Sequence, residues 1–207
     1  MPFGYIGQNQ TKQKVKNSGV LSSFEISHLE KQGHAGGSLE LIEEQTLSGV
    51  TQVDFTDLKN YDVHYVNISD FAVVTTDNVL ALRFSNDNGS TFETTNYQQA
   101  IQQGESNGQV FESKTTSGSG LTATCVTGDE SYKSGNSYLY LYNLLNSSKY
   151  SFETMHSVSV RESANFEYRF GGGVYTVAET INAIRFYSAS TFSANIKLYG
   201  VKQIWVT

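Results

Sequence analysis

The chain has 207 residues, enough to bury a substantial hydrophobic core, and charged residues make up only 16% of it. Its net charge of −6 argues against broad electrostatic binding to nucleic acid, because neutralising phosphates requires clustered Lys and Arg. The single cysteine, Cys125, cannot close an internal disulfide, and we expect it to be a small buried hydrophobic residue. No apolar run reaches the ~20 residues of a membrane helix. The N-terminus also lacks a signal-peptide pattern, so we expect synthesis in a cytoplasm without membrane insertion.

Residues 1–20 differ in composition from the rest of the chain. Their side-chain charges are all positive, and their bulky apolar group, Phe3, Tyr5 and Ile6, is separated from any further core by a polar stretch. Such a segment cannot bury enough surface to fold alone. The composition fits a frayed terminus or an anchoring arm. We favour an arm in which Phe3, Tyr5 and Ile6 fill a pocket on another protein.

Residues 21–37 carry a helix signature followed by a hinge. Ser22 is a candidate N-cap, Glu25 stands three residues later, and Gly33 ends the pattern. We therefore predict one short helix here, and we interpret "GHAGG" as a hinge that leads into the main domain, residues 38–207.

From Ser38 onward the hydrophobic period is two, which indicates strands. About ten short runs, most of them bounded by turn residues, have this period: "LELIEEQTL", "VTQVDF", "YDVHYVNI", "FAVVTT", "VLALRF", "YLYLYN", "YSFETM", "FEYRF", "INAIRF" and "NIKLYGV". These runs predict an all-β fold, an antiparallel jelly-roll-like β-sandwich. Residues 96–105, "NYQQAIQQGE", are predicted to form a helical turn, and residues 170–175, "FGGGVY", a flexible loop.

The stretch "SNDNGS" has two competing interpretations, a calcium site and a turn. The EF-hand pattern fails because Phe84 and Thr95 stand where its first and last ligands would be. Asn88-Gly89 supplies the positive backbone dihedrals of a tight reversal, so we predict a hairpin between "LALRF" and "STFETT". A calcium site at Asp87 outside the EF-hand pattern is the alternative.

No set of residues in the sequence argues for a reaction. The four histidines are spread along the chain: His28, His34, His64 and His156. Their spacing does not fit a zinc motif, and no serine-nucleophile elbow is present. Glu40, Glu43 and Glu44 lie in one predicted strand and do not provide the opposed carboxylates of a glycosidase. His64 alternates with Asp62, which fits either a pair on the surface or a solvated strand face, and we favour the solvated face. We therefore expect no enzymatic activity, no cofactor and no metal.

The run "YLYLYN" separates two sets of side chains by its alternation. Leu139 and Leu141 are expected to face the core, and Tyr138, Tyr140 and Tyr142 to form an outward stripe. Tyrosine suits both protein interfaces and stacking on sugar rings, because it offers area and a hydroxyl at low entropic cost. We expect a protein interface, with a sugar-binding site as the alternative.

Several stretches together resemble a module of virion structural and tail-fibre proteins in tailed bacteriophages, common in marine phages. They are "NSGVLSS", "GGSLELIEEQTLSG", "VDFT", "LALRFSNDNGSTF", "YLYLYN" and "ETINAIRFYSASTFSANIKLYGV", and they span residues 17–201. The resemblance implies a jelly-roll-like β-sandwich, no enzymatic activity, assembly into a particle and self-association, with a trimer as the expected state. It also makes "GYIGQ" similar to the short N-terminal anchors of phage appendages.

We therefore expect a compact virion component, a knob, decoration or attachment protein, held by its arm to other virion proteins of the capsid or tail. The alternative is a carbohydrate-binding module that recognises a host-surface glycan through the exposed tyrosines and the loops around Asn88 and Gly171. The weakest hypothesis is a polysaccharide-degrading enzyme.

Overall fold

A computed structural model describes residues 38–75 and 78–202, and their regular structure is almost entirely β-strand. The strands are β1 (Leu39–Phe55), β2 (Val63–Val73), β3 (Ala81–Ser85), β4 (Tyr97–Glu105), β5 (Val110–Gly118), β6 (Leu121–Thr122), β7 (Gly135–Tyr142), β8 (Ser151–Val160), β9 (Phe166–Tyr175) and β10 (Ala183–Val201), with a short 3-10 helix at Ser131–Lys133. No helix in this part of the chain is long and apolar enough to span a membrane. The predicted arm, 1–20, and the predicted helix and hinge, 21–37, lie outside the described residues.

The strands pair antiparallel in the order β5-β4-β9-β8-β7-β2-β10-β3-β6, and β1 pairs with β10. They curl into a nearly closed, barrel-like body. Side chains bridge the gap between β6 and β4: the Gln99 carboxamide accepts a hydrogen bond from the Thr122 backbone N–H at 3.0 Å and donates one to Thr122 Oγ1 at 3.2 Å. The predicted all-β antiparallel class is therefore confirmed.

Strand β10 pairs with two different strands along one of its edges. Residues 183–187 pair with β3 and residues 192–200 pair with β2, while β1 follows the other edge. The sequence predicted two separate strands here, 181–186 and 195–201. One strand forms instead, because alternate side chains stay buried through most of its length and keep one face on the core.

The hydrophobic core fills the interior of the barrel-like body. Leu80, Leu82 and Phe84 are fully buried, as are Leu139 and Leu141, which confirms the inward faces predicted for both runs. Burying a large apolar side chain contributes about 1.5–3 kcal/mol. Because alternate residues of a strand point to opposite faces, burying these side chains places their neighbours on the outer surface.

Residues 97–105 form β4 and not the predicted helical turn. Tyr97 and Ile101 point inward and are buried, and the Tyr97 ring lies 5.1 Å from the ring of Tyr175. The Phe84 backbone N–H donates a hydrogen bond to the Tyr97 hydroxyl at 2.9 Å. Because β4 lies between β5 and β9, ladder pairing and burial outweigh the helix propensity of "QQAIQQ".

Residues 170–175 are the end of β9 and not the predicted flexible loop. A Cβ at Gly171 would collide with the Ala100 carbonyl oxygen, and a Cβ at Gly172 with the Glu153 carbonyl oxygen. Glycine is therefore required here by the close approach of neighbouring backbones, and its presence in this strand does not indicate mobility.

The reversal at Asn88-Gly89 is confirmed, but the predicted hairpin is wrong. Asn88 has φ 60° and Gly89 has φ 85°. The residues that follow form no strand, and a single backbone bond, from the Glu93 N–H to the Phe84 carbonyl at 2.9 Å, joins them to β3. Strand β3 instead pairs with β10 and β6, whose apolar partners complete the core.

Residues 123–127 are buried, and serine side chains form hydrogen bonds with some of their backbone N–H and carbonyl groups. The Ser157 hydroxyl accepts a hydrogen bond from the Cys125 N–H at 2.8 Å, and the Ser137 hydroxyl donates one to the Ala123 carbonyl at 2.6 Å. Cys125 is fully buried, as predicted, and burial raises the pKa of its thiol to about 11.

Candidate functional site

Tyrosine side chains gather on the outward face of three neighbouring strands. The predicted stripe of Tyr138, Tyr140 and Tyr142 lies on β7, and the structure adds Tyr65 from β2 and Tyr199 from β10. We term these five residues the tyrosine cluster. Strand alternation places them there, since the leucines between them are buried, whereas Tyr138 is 41% exposed and Tyr140 and Tyr142 are half-buried.

Tyr65 is the centre of this cluster. Its ring centroid lies 5.1 Å from Tyr140, 5.9 Å from Tyr199 and 6.3 Å from Tyr138. Such ring pairs are worth about 0.5–1.5 kcal/mol each beyond area burial, so the rings hold one another in place. Burial raises the pKa of Tyr65, which keeps its hydroxyl neutral at physiological pH.

Two hydroxyls of the tyrosine cluster reach toward β8. The Tyr138 hydroxyl lies 3.1 Å from His156 Nδ1, and the Tyr142 hydroxyl lies 3.3 Å from Thr154 Oγ1. The His156 ring also meets the Tyr138 ring edge-on, with centroids 5.5 Å apart. These contacts link the cluster to the outward face of the next strand.

The outward face continues over β8 and β9 with apolar side chains. Four of them are between 36% and 46% exposed: Phe152, Val158, Phe166 and Phe170. The Tyr168 ring stacks beside Phe170 with centroids 6.1 Å apart. None of the outward positions of β7, β8 and β9 carries Asp, Glu, Lys or Arg, although the chain has a net charge of −6. An apolar face of this extent is typical of a binding surface.

A groove crosses β9, β4 and β5 beside these rings. Its floor is Gly172 and Ala100, which are directly paired, and Phe152 forms part of its wall. This depression has a volume of about 840 Å³. A second depression of about 300 Å³, bounded by Phe170, continues from it past Ala100 and Lys114. The two together make an elongated trough.

Polar side chains stand along the groove. Gln98 and Gln102 point outward on β4 on either side of Ala100, and neither carboxamide makes a hydrogen bond with another described residue. Lys114 Nζ lies 3.7 Å from Glu112 Oε2, and because both side chains are exposed, this ion pair contributes little to stability. The groove therefore offers free amide donors and acceptors with little net charge.

The buried charges of the interior neutralise one another. Arg161 Nη1 lies 2.6 Å from Glu105 Oε1 and 3.3 Å from Glu167 Oε2, and Arg169 Nε lies 2.8 Å from Glu167 Oε1. Gln103 donates a further hydrogen bond to Glu167 at 3.1 Å. Buried carboxylates need such partners, so we assign this network a structural role.

Glu153 and His64 are buried without an ion-pair partner among the described residues. Glu153 is 3% exposed, its Oε1 has no hydrogen-bond partner in the described part of the chain, and burial raises its pKa well above the ordinary value. His64 is fully buried, with Nε2 3.0 Å from the Lys59 carbonyl oxygen, and burial lowers its pKa. The predicted solvated position of His64 is therefore wrong, because its side chain belongs to the inward face of β2.

One acidic group in the described residues has its oxygens close enough for a metal ion: Asp129, Glu130 and Glu162. Lys133 Nζ already lies 2.5 Å from Glu130 Oε2 and 3.3 Å from Glu162 Oε2, and the Lys133 side chain is only 8% exposed. This ammonium already engages two of the three carboxylates, so we assign no metal site there.

The Asp87 carboxylate belongs to the turn. It accepts hydrogen bonds from the Thr91 N–H at 2.9 Å, the Thr91 hydroxyl at 2.7 Å and the Ser85 hydroxyl at 2.8 Å. The Thr91 N–H and the two hydroxyls lower its pKa to about 2. Since both carboxylate oxygens are engaged by the turn itself, the stretch "SNDNGS" is explained without a calcium ion.

The structure places the predicted site residues in different regions. Phe3, Tyr5 and Ile6 lie outside the described residues. Asn88 lies in the β3–β4 connection, and Gly171 lies inside β9 between β8 and β4, so the latter does not form the predicted binding loop.

Sequence reasoning missed Tyr65, Tyr199 and the groove. The alternation in "YDVHYVNI" and "NIKLYGV" marks both tyrosines as facing away from the core, but only strand pairing brings them beside β7. Comparison with protein-family models, curated protein sequences and solved structures gives no match to this chain. The functional argument therefore depends on this surface and on the sequence motifs.

Proposed function

We propose that this chain is a non-enzymatic structural protein of a bacteriophage virion, a compact appendage, decoration or tail component. The resemblance of its sequence motifs supports the assignment to a virion. In this proposal residues 1–20 hold the chain to a capsid or tail protein through Phe3, Tyr5 and Ile6. A jelly-roll-like sandwich, self-association as a trimer and residence on the particle belong to the same proposal.

The uncharged aromatic face is the observation that carries the proposal. Protein interfaces are enriched in aromatic residues and depleted in Lys, Glu and Asp at their centre, and the outward positions of β7, which carry Tyr138, Tyr140 and Tyr142, have this composition. Leaving such a face in water is unfavourable, so its extent favours a partner that covers it. We assign the tyrosine cluster to a contact with a neighbouring virion protein.

The carboxylates of Glu105 and Glu167 and the thiol of Cys125 favour a binding role over a catalytic one. The carboxylates of Glu105 and Glu167 contact Arg161, which leaves neither as the free acid or base of a hydrolase. The raised pKa of Cys125 keeps its thiol protonated at neutral pH, whereas a nucleophilic cysteine needs a thiolate.

Placing a charge in the tyrosine cluster tests this role. Tyr138→Arg changes an exposed side chain, so the fold should persist while a desolvated interface is disrupted. Tyr150→Arg is the matched control, because Tyr150 is 46% exposed and lies outside the cluster. We expect quantitative mass spectrometry of purified particles to show at least a tenfold loss of the Tyr138→Arg chain and no loss of the control. Equal incorporation of both variants would contradict the proposed contact.

Carbohydrate binding is the second candidate function, and the groove over Gly172 and Ala100 is the observation that favours it. The carboxamides of Gln98 and Gln102 are available to sugar hydroxyls there. Deleting residues 1–20 separates the two candidates. The structural role predicts loss of the chain from particles, whereas a host-recognition role predicts unchanged glycan binding by the truncated protein.

A further inference from the structure

We propose that the groove between Phe152 and Phe170 binds an uncharged polysaccharide chain that lies over Gly172 and Ala100. This inference rests on the carbohydrate-binding candidate and names its site and ligand class. The groove is lined by residues of β8, β9, β4 and β5, whereas the tyrosine cluster lies on β10, β2 and β7, so the two surfaces share no residue and both can work in one molecule.

Three rows of paired residues build the groove. The middle row is the floor: Lys114, Ala100 and Gly172. One flanking row is Gln98, Val174 and Phe152, and the other is Glu112, Gln102 and Phe170. Each flanking row thus combines a free carboxamide with a phenyl ring, and the two rows stand four residues apart along the strands, or about 13 Å.

The floor allows a ligand to reach the backbone. Gly172 cannot carry a side chain because its Cβ would collide with the Glu153 carbonyl oxygen, and its partner Ala100 projects only a methyl group. The same steric requirement that puts glycine in β9 therefore leaves a depression in an otherwise aromatic surface. A chain of rings can lie in it, in contact with Phe152 and Phe170 at the two sides.

The side chains match the chemistry of a sugar. Phe152 is 43% exposed and Phe170 is 45% exposed, and aromatic faces of this kind pack against the C–H faces of pyranose rings. Each carboxamide of Gln98 and Gln102 offers two N–H donors and a carbonyl acceptor, which suits hydroxyls that both donate and accept. Each side of the groove therefore offers a phenyl ring for a sugar ring and a carboxamide for its hydroxyls.

The groove is poorly suited to the other common ligands. A peptide strand needs a free sheet edge, but the strands under the floor have none, because β4 is paired with β5 and β9, and β9 with β4 and β8. The free edge of β5 is on the side away from β4, so a strand added there would not lie over Gly172 and Ala100. An anionic ligand needs clustered cations, but the only cation that lines the groove within the described residues is Lys114, which lies beside Glu112. An uncharged, hydroxyl-rich chain fits the carboxamides, the phenyl rings and the low net charge of the groove.

The test uses the full chain on an array of neutral hexose and N-acetylhexosamine oligosaccharides, with uronic-acid and sulfated oligosaccharides as charged comparisons. We expect binding to neutral members. Phe152→Ala and Phe170→Ala should each weaken the affinity about five- to tenfold in calorimetric titration. Phe166→Ala is the matched control, since Phe166 lies on the same face of β9, is 46% exposed and does not line the groove, and its affinity should be unchanged.

Several results would overturn the inference. One is that no neutral oligosaccharide binds, and another is that the charged oligosaccharides bind more tightly. A third is that Phe166→Ala and Phe170→Ala lose the same oligosaccharide affinity. Sedimentation that shows a dimer broken by Phe170→Ala and not by Phe166→Ala would mean that a second copy covers the groove. Because Phe170 lies outside the tyrosine cluster, the Phe170→Ala chain should still enter particles. Glycan binding and incorporation into particles can therefore fail independently.

Discussion

The guanidinium of Arg185 binds both carboxylate oxygens of Asp54 across the β1–β10 ladder, with Nε 2.6 Å from Oδ1 and Nη2 2.7 Å from Oδ2. The same guanidinium lies 4.0 Å from the ring centroid of Phe92. Lysine can reproduce the charge but neither the paired hydrogen bonds nor the planar stacking. We therefore expect Arg185→Lys to lower the free energy of unfolding by about 1–2 kcal/mol, measured by urea titration.

Arg83 provides the control for that substitution, because it is paired directly with Arg185 on the adjacent strand β3. Its guanidinium lies 4.2 Å from the Tyr187 ring and donates to the Ser119 carbonyl at 2.8 Å. Without the carboxylate pair, Arg83→Lys should cost clearly less than Arg185→Lys. Equal losses would show that the Asp54 contact contributes nothing beyond charge.

Glu153 should make the protein less stable as the pH rises. Burial raises its folded-state pKa, whereas the unfolded side chain titrates near 4.5. The contribution of the protonated Glu153 to the free energy of unfolding is fully present below pH 4.5. It is lost as the pH rises toward the folded-state pKa, at up to about 1.4 kcal/mol per pH unit. Urea titrations at several pH values should show this slope in the natural chain and a flatter profile in Glu153→Gln. Parallel profiles would contradict the assignment of a protonated, buried Glu153.

His64 should have the opposite effect. Its folded-state pKa is lowered by burial from an ordinary value of 6.5, so it folds as the neutral imidazole. The contribution of the neutral His64 to the free energy of unfolding is fully present above pH 6.5 and is lost as the pH falls through the lowered pKa. We expect His64→Phe to remove this loss below pH 6.5 while keeping a ring beside Tyr61, whose ring centroid lies 6.0 Å from that of His64 in the natural chain. A His64 resonance that titrates at or above 6.5 by NMR would contradict the prediction.

Asp87 and Thr91 should act as one unit in the turn. Thr91 supplies both a backbone and a hydroxyl donor to the Asp87 carboxylate, so either Asp87→Ala or Thr91→Val should lower the melting temperature. The double variant should lose less than the sum of the single variants, because the hydroxyl contact can be lost only once. Full additivity in a double-mutant cycle would show that this contact does not support the turn.

The sequence predicted best where one side chain pattern decided the outcome. Alternation in "YLYLYN" was enough to place Leu139 and Leu141 inward and Tyr138, Tyr140 and Tyr142 outward, because a strand with one buried face has only one orientation that covers its apolar side chains. The alternation could not show that Tyr65 and Tyr199 join them, since neighbours across a sheet depend on long-range pairing.

The wrong predictions for residues 96–105 and 170–175 have a common physical cause. Residues 96–105 have good helix formers and residues 170–175 contain three consecutive glycines, so local preference favours a helix and a loop. Both segments instead complete the sheet between β5 and β8, where Tyr97 and Ile101 gain burial and Gly171 permits close backbone approach. Tertiary contacts outweigh a local preference of this size. The groove follows from those two segments and was therefore not predictable from the sequence.

The position of this protein on purified phage particles tests the central claim most directly. Cryo-EM reconstruction combined with labelling by an antibody against the chain would locate it. We expect density for residues 39–202 on the capsid or tail of the particle, with the tyrosine cluster against a neighbouring protein. Absence of the chain from purified particles would contradict the virion assignment.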